Sequence, residues 1–295
     1  MLLPFKHSEK LILGPQTTKG KTDQQSKQAF LDCMHTVRPE KLVHERKPML
    51  TSKSTKIIVT TGYGSSRELN NTELIDINGD CIASLPDYPM KIDGATGVYI
   101  DGKIIICGGG YPVTNKCYQL RKGGKEFELI YTMKQKRFFA KSIVTQQKML
   151  LSGGHNGNSY IGTGEFINPQ ISNTSEPSFN IQLPEAVHFH AIVKINQTTL
   201  FLIGGETIKM TYSKKTHFYN HVTKEWTDGP ELIAGRWGHT AGILIDHETQ
   251  TQHIAVVGGF RNGNVDENSV ELLLYGQTLW SQGMLFFNYN VICLI

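Results

Sequence analysis

Four times along the chain a run of apolar residues closes on two glycines. The runs are Ile104-Ile105-Ile106-Cys107-Gly108-Gly109, Met149-Leu150-Leu151-Ser152-Gly153-Gly154, Phe201-Leu202-Ile203-Gly204-Gly205 and Ala255-Val256-Val257-Gly258-Gly259. The second glycines are 45, 51 and 54 residues apart. A weaker copy, Ile57-Ile58-Val59-Thr60-Thr61-Gly62-Tyr63, precedes them at a similar distance. The runs are short and mostly aliphatic or β-branched, which predicts buried strands rather than helices. A second strand pattern precedes most of them, at 95–100, 140–145, 191–195 and 240–245. Turn residues such as Asp101-Gly102 and Asn196-Gln197 lie between the two. After the glycines come a polar, often Gly/Asn-rich loop and a third strand, as at 216–219 and 269–275. A fourth strand then brings in an aromatic residue: Phe127, Phe179, Trp226 or Trp280.

Four short antiparallel strands repeating every 45 to 55 residues predict the blades of a β-propeller. One four-stranded sheet cannot bury both of its faces; neighbours stacked against it can. The expected fold is therefore all-β, with five recognisable blades near 56–90, 91–136, 137–186, 187–234 and 235–283. A basic, flexible arm (1–55) is expected before them, and an apolar tail (284–295) after them. Four Gly-Gly pairs at this spacing mark strand ends where a Cβ would be costly.

The repeats resemble those of kelch proteins, in which an apolar run ends in Gly-Gly and is followed by a Tyr, six residues and a Trp. The fourth repeat matches with Gly204-Gly205, Tyr219 and Trp226. The fifth matches with Gly258-Gly259, Glu271 and Trp280, Leu273 standing where the Tyr would be. Arg236-Trp237-Gly238-His239 is similar to a kelch repeat opening, and Arg137 matches its Arg alone. The resemblance covers roughly 56–283 and is specific over the last hundred residues. It implies a kelch-type propeller, and the family habit of six blades against the five seen here implies an incomplete or irregularly closed ring. Two apolar blade faces would then need a cover: residues 284–295, the Leu11-Ile12-Leu13 run, or a second chain. Residues 284–295, directly after the fifth repeat, are the preferred candidate. Many kelch proteins carry an N-terminal BTB domain that recruits a ubiquitin ligase; residues 1–55 are too short for one.

The net charge of +4 is uneven. Residues 1–56 hold eleven Lys/Arg against five Asp/Glu, and the rest is slightly acidic. A neutral propeller lacks the clustered cations that phosphate binding needs, so no nucleic-acid partner is expected. The five cysteines (33, 81, 107, 117 and 293) are odd in number and widely spaced, with no C-x-x-C. That speaks against a zinc site and against a dense disulfide framework. No run approaches the roughly 20 apolar residues of a membrane span, so no membrane partner is expected. The cytoplasm is the expected compartment. Sequons at Asn70, Asn173 and Asn196 keep secretion open.

Candidate chemistry is sparse. His188 and His190 lie two apart and share a strand face, but no third metal ligand is fixed by spacing. Asn262, Asn264 and Asp266 alternate as in a calcium loop, without the bidentate Glu. Gly97, Gly102 and Lys103 have phosphate-loop spacing, but Ile104 replaces the hydroxyl residue. No nucleophile elbow or dinucleotide fingerprint occurs. The expectation is a non-enzymatic protein-interaction module with no cofactor, no metal and no catalytic residue. By resemblance it is a scaffold or a ubiquitin-ligase-adaptor-like module. The alternative is a kelch-fold enzyme, such as a sugar-acting epimerase or a copper oxidase. In an up-and-down blade the loop after the second strand and the link to the next blade open on the same end. That end supplies the expected partner-binding residues: Arg67, Tyr111, His155, Asn156 and Arg261 from the first group, and Arg137, Arg236 and Trp237 from the second. Arg137 and Arg236 have a second reading, as ties between blades.

Overall fold

The computed structural model describes residues 11–12, 56–64, 67–76, 82–170, 180–208, 211–245, 249–261 and 265–283. Every regular element among them is a β-strand. No helix among them is long and apolar enough to cross a membrane. Two compact units divide the chain, Met1–Asp93 and Gly94–Ile295.

The first unit holds one antiparallel sheet in the order β1 (Leu11–Ile12), β2 (Lys56–Gly64), β3 (Arg67–Asp76), β4 (Ile82–Leu85). Leu11 and Ile12 pair with Thr60 and Val59. Part of the Leu11-Ile12-Leu13 run, which lies in the expected arm, thus takes the first-strand place in this sheet. Residues 284–295 lie outside the described residues.

The second unit holds four such sheets in chain order. The second sheet is β5 (Thr96–Ile100), β6 (Lys103–Cys107), β7 (Lys116–Arg121) and β8 (Glu128–Thr132). The third is β9 (Lys141–Thr145), β10 (Lys148–Ser152), β11 (Thr163–Ile167) and β12 (Asn180–Gln182). A short strand β13 (Val187–His188) opens the next repeat, and β14 (Ala191–Lys194) and β15 (Thr199–Ile203) follow. After β16 (Glu206–Thr207), which pairs with β13, come β17 (Thr216–Asn220) and β18 (Glu225–Asp228). The fourth sheet is β14-β15-β17-β18. The fifth repeat has β19 (Thr240–Ile245), β20 (Gln252–Val257), β21 (Phe260–Arg261), β22 (Val265–Asp266), β23 (Val270–Leu274) and β24 (Ser281–Gly283). Its sheet is β19-β20-β23-β24, and β21 pairs with β22 beside it. Of the expected fourth-strand aromatics, Trp226 lies in β18, Phe127 and Trp280 directly precede β8 and β24, and Phe179 lies outside the described residues.

The apolar runs are buried on both faces because alternate side chains face opposite neighbours. Met149 and Leu151 pack with Val98, Ile105 and Tyr131 of the second repeat. Leu150 between them packs with Leu200, Leu202 and Tyr219 of the fourth. On the same strand as Leu200, Phe201 and Ile203 pack with Ala241, Ile254, Val256 and Trp280 of the fifth. Successive sheets of this unit therefore share their cores pairwise, as the repeat requires. Within the second sheet Cys107 and Cys117 stand directly opposite and form a disulfide, the one such bond among the described residues.

Backbone hydrogen bonds join the repeats at one end of the strands. The second glycine of the first three pairs donates its N–H to the carbonyl of the residue that opens the next repeat. These bonds are Gly109 to Arg137 (2.7 Å), Gly154 to Val187 (2.8 Å) and Gly205 to Arg236 (2.9 Å). The openings are also tied to one another. Phe139 N–H donates to Gly94 O (2.8 Å), Phe189 N–H to Phe139 O (3.2 Å) and Gly238 N–H to Phe189 O (2.9 Å). All four of these residues have positive φ, between 52° and 63°. The close approach explains the glycines: a Cβ on Gly108 would lie 2.1 Å from Arg137 O, and one on Gly205 would lie 2.5 Å from Val187 Cγ2.

Candidate functional site

The loops that follow the glycine pairs and the openings of the next repeats meet at that same end. The residue after the second glycine pairs with the second residue of its own repeat's opening. The pairs are His155 with Phe138, Glu206 with His188, and Phe260 with Trp237. Because three successive repeats do this, their side chains join into one strip. Ring centroids run from His155 to Tyr160 (5.3 Å), Tyr160 to His188 (4.5 Å), His188 to Phe189 (4.5 Å), Phe189 to Trp237 (4.8 Å) and Trp237 to Phe260 (4.8 Å). Tyr212 lies beside Trp237 at 6.2 Å and pairs with Glu206 in an isolated bridge.

Glu206 is the charged group of the strip. Its Oε1 accepts a hydrogen bond from the Tyr160 hydroxyl (3.2 Å), and its Oε2 lies 3.8 Å from His188 Nε2. Burial pushes the His188 imidazole down to about 3, so the ring is neutral at ordinary pH. Burial also raises the Glu206 carboxyl above its usual range. The Tyr160 hydroxyl is pushed up to about 12, by burial first and then by the Glu206 charge. The same two causes raise Tyr212.

The expected binding residues divide into three groups. His155 and Trp237 belong to the strip. His155 Nδ1 also accepts the Gly157 N–H (3.0 Å), and Trp237 is buried between Phe189 and Phe260. Tyr111, Asn156 and Arg261 lie in the loops around it. Tyr111 is 84% exposed. Asn156 Oδ1 accepts the N–H groups of Asn158 and Ser159 and so shapes its own turn. Arg261, half exposed, pairs through Nε with Glu267. Arg67 is exposed at the start of β3, in the first unit.

Arg137 and Arg236 form the third group, and both are buried. The Arg137 guanidinium donates to Gly153 O, Thr163 O and Thr163 Oγ1. The Arg236 guanidinium donates to Gly258 O, Ser269 O, Ser269 Oγ and Glu271. Glu271 in turn accepts the N–H groups of Ile233 and Ala234, before the repeat opening, and Glu165 accepts that of Lys134. Both guanidiniums are buried and bond only within their own repeats, so neither is placed to meet a partner protein; the link to the preceding repeat runs through the carboxylates beside them, Glu165 and Glu271, and through the Arg137 and Arg236 carbonyls. Burial lowers the Arg137 guanidinium to about 10.

Tyr160, Phe189, Glu206 and Tyr212 were not expected from the sequence. Aligning the residue after each glycine pair (Tyr63, Gly110, His155, Glu206, Phe260) with the second opening residue (Asp93, Phe138, His188, Trp237) is a signal that finds Glu206, but not Tyr160, Phe189 or Tyr212.

At the opposite end of the strands the hairpins carry a cleft of about 470 Å³. It is lined by Ile100, Asp101, Val144, Gln146, Gln147, Lys194 and Gln197. Among the described residues no group of three or more His, Cys, Asp or Glu could hold a metal ion. His190, the other half of the sequence pair, is fully buried and hydrogen-bonded to Ser152 Oγ (2.7 Å).

No family model matches the chain, and no curated protein matches it. Solved structures do match. One, titled "Structure of YjhT", is similar with a TM-score of 0.63 and 15% identity, over 79% of this chain and 82% of that one. At that identity the likeness is one of fold.

Proposed function

We propose that the five sheets are blades of a kelch-type β-propeller, open or irregularly closed, and that the chain is a non-enzymatic module binding a partner protein through its loop end. The propeller reading is supported, within the second unit, by the pairwise cores of its successive sheets and by the hydrogen bonds that tie its openings in sequence order. The binding reading rests on one observation above all. Loops from three successive repeats bring a continuous aromatic strip to one end, with the half-exposed Arg261 directly after Phe260, and the loop after the glycine pair of the preceding repeat carries the exposed Tyr111. Aromatic and Arg side chains most often dominate interface energies, at about 2 kcal/mol or more each.

Affinity capture with the whole chain as bait, read by mass spectrometry, tests this. Tyr111→Ala and Arg261→Ala should weaken capture of the partner while the melting temperature stays put. Capture untouched by both, yet abolished by changes in the opposite cleft at Gln146 and Gln147, would overturn the choice of face.

A second reading, an enzyme acting on a sugar, is favoured by the Tyr160–Glu206–His188 grouping, a carboxyl and a phenol within proton-transfer reach. Turnover of reducing sugars by purified protein, lost in Glu206→Gln, would favour it over the binding module. The copper-oxidase form of the alternative is tested by metal analysis of the same preparation.

A further inference from the structure

Three other carboxylates of the second unit are nearly or fully buried, and each has an arginine. Glu165 lies beside Arg137, Glu271 bonds to Arg236, and Glu267 pairs with Arg261. Glu206 differs. Its side chain is only 16% exposed, yet among the described residues no Lys or Arg pairs with it. Its neighbours are the Tyr160 hydroxyl and an uncharged His188. A carboxylate largely withdrawn from water without a cation is costly, and a cation entering beside it relieves that cost.

The surroundings suit one kind of cation. Tyr160 bonds to the carboxylate from one side, and Tyr212 pairs with Glu206 across the bridge from the other. Trp237 backs Tyr212, their rings inclined by 28°. Aromatic faces attract organic cations through their quadrupole, and tyrosine faces beside a carboxylate suit alkylammonium and guanidinium groups. A strongly hydrated metal ion would want more oxygen ligands than Glu206 alone supplies.

We infer that Glu206, Tyr160 and Tyr212, with the buried Trp237 backing Tyr212, form a recognition site for a cationic side chain, a lysine or arginine presented by the partner protein. This rests on the reading of the loop end as the binding face and adds the chemistry of what docks there. The bond is a charge-assisted contact to Glu206, with the alkyl stem of the lysine or arginine along the rings.

The test uses the whole chain and small probes: Nα-acetyl-lysine methylamide, Nα-acetyl-arginine methylamide, the neutral Nα-acetyl-norleucine methylamide, and tetramethylammonium. Binding is followed through the Trp237 indole N–H resonance, assigned with Trp237→Phe. The lysine and arginine probes should shift that resonance saturably at millimolar concentration, more weakly as salt is added, and the norleucine probe should not. Glu206→Gln, which keeps an acceptor for the Tyr160 hydroxyl, should weaken the cationic probes at least tenfold at an unchanged melting temperature. Tyr212→Leu should weaken them several-fold, which separates the site from an effect of Glu206→Gln on folding. Equal response to norleucine, no response to any cation, or unchanged affinity in Glu206→Gln would overturn the inference. Tetramethylammonium binding without the lysine or arginine probes would overturn it too, in favour of a small free ammonium ligand. Partner capture that survives Glu206→Gln but is lost in Tyr111→Ala and Arg261→Ala would sink this site and leave the binding face standing.

Discussion

Arg236 shows how a buried charge supports a carboxylate that links two repeats. Its guanidinium reaches backbone carbonyls at Gly258 and Ser269 and the carboxylate of Glu271, which itself holds the N–H groups of Ile233 and Ala234. Removing the cation strands that carboxylate in the interior. Arg236→Met is therefore expected to cost about 3–5 kcal/mol, measured by denaturant unfolding. Adding Glu271→Leu should recover only part of this, because the Ile233 and Ala234 N–H groups then lose their acceptor. The buried histidines act through protons instead. Burial lowers His188 and His239 from 6.5 to about 3 and His190 well below 6.5. Between those values the unfolded chain binds protons that the folded one refuses. Stability is thus complete above about pH 6.5 and falls as the pH drops toward 3, each histidine adding a slope of up to about 1.4 kcal/mol per pH unit. His239→Gln should flatten the pH dependence by about that slope, compared by urea unfolding at neutral and acid pH.

The repeat as an element was readable in the sequence because its cause is steric and local. A second glycine that must donate to the next opening, with no room for a Cβ, leaves a mark that no other residue can imitate. Two glycines separate that cause from simple backbone freedom. Gly205→Ala would drive a Cβ into Val187, His188 and His190 at a φ of 102° and should cost well over about 2 kcal/mol. Gly102→Ala, at a φ of 77° with nothing within 4 Å, should cost only about 1 kcal/mol in the same unfolding assay. The openings were half readable. Arg137 and Arg236 announce theirs, whereas Ile92 and Val187 hold the same place through carbonyls that any residue carries. Arg137 and Arg236 looked like binding residues because an arginine in a loop reads alike whether its donors face solvent or the sheet of its own repeat. Glu206 was unreadable, since which of the described residues reach its carboxylate is settled by tertiary packing.

At the scale of the whole molecule the cysteines and sequons bear on one question, the compartment. The Cys107–Cys117 bond suits an oxidising environment, which gives the secreted alternative a support that cysteine number alone did not. The sequons are unequal. Asn70 uses its side-chain N–H on Tyr88 O (3.2 Å), whereas Asn196 sits exposed at a hairpin tip with only its Oδ1 engaged, by Thr198. Asn173 lies outside the described residues. Passed through a secretory pathway, the chain should carry a glycan at Asn196 and none at Asn70, seen as a glycosidase-sensitive mobility shift lost in Asn196→Gln.

The remaining question at this scale is what the segments on either side of the repeats do for the sheets. Residues 284–295 are the expected cover, on grounds of position and apolarity, yet it is Leu11–Ile12 that pairs with β2, opposite Thr60 and Val59. In every other sheet the strand beside the glycine-ending one comes from the same repeat, so the first sheet takes its equivalent strand from far upstream. An unpaired edge on β2 would offer its N–H and C=O groups to another chain. Removing residues 1–13 uncovers that edge and breaks a few backbone hydrogen bonds, worth about 1 kcal/mol each. The expected result is a melting temperature lower by several degrees, together with concentration-dependent aggregation seen by light scattering. Removing 284–295 gives the comparison. If that deletion alone lowers the melting temperature, and removal of 1–13 changes neither stability nor aggregation, then the upstream strand covers nothing and the tail is the cover.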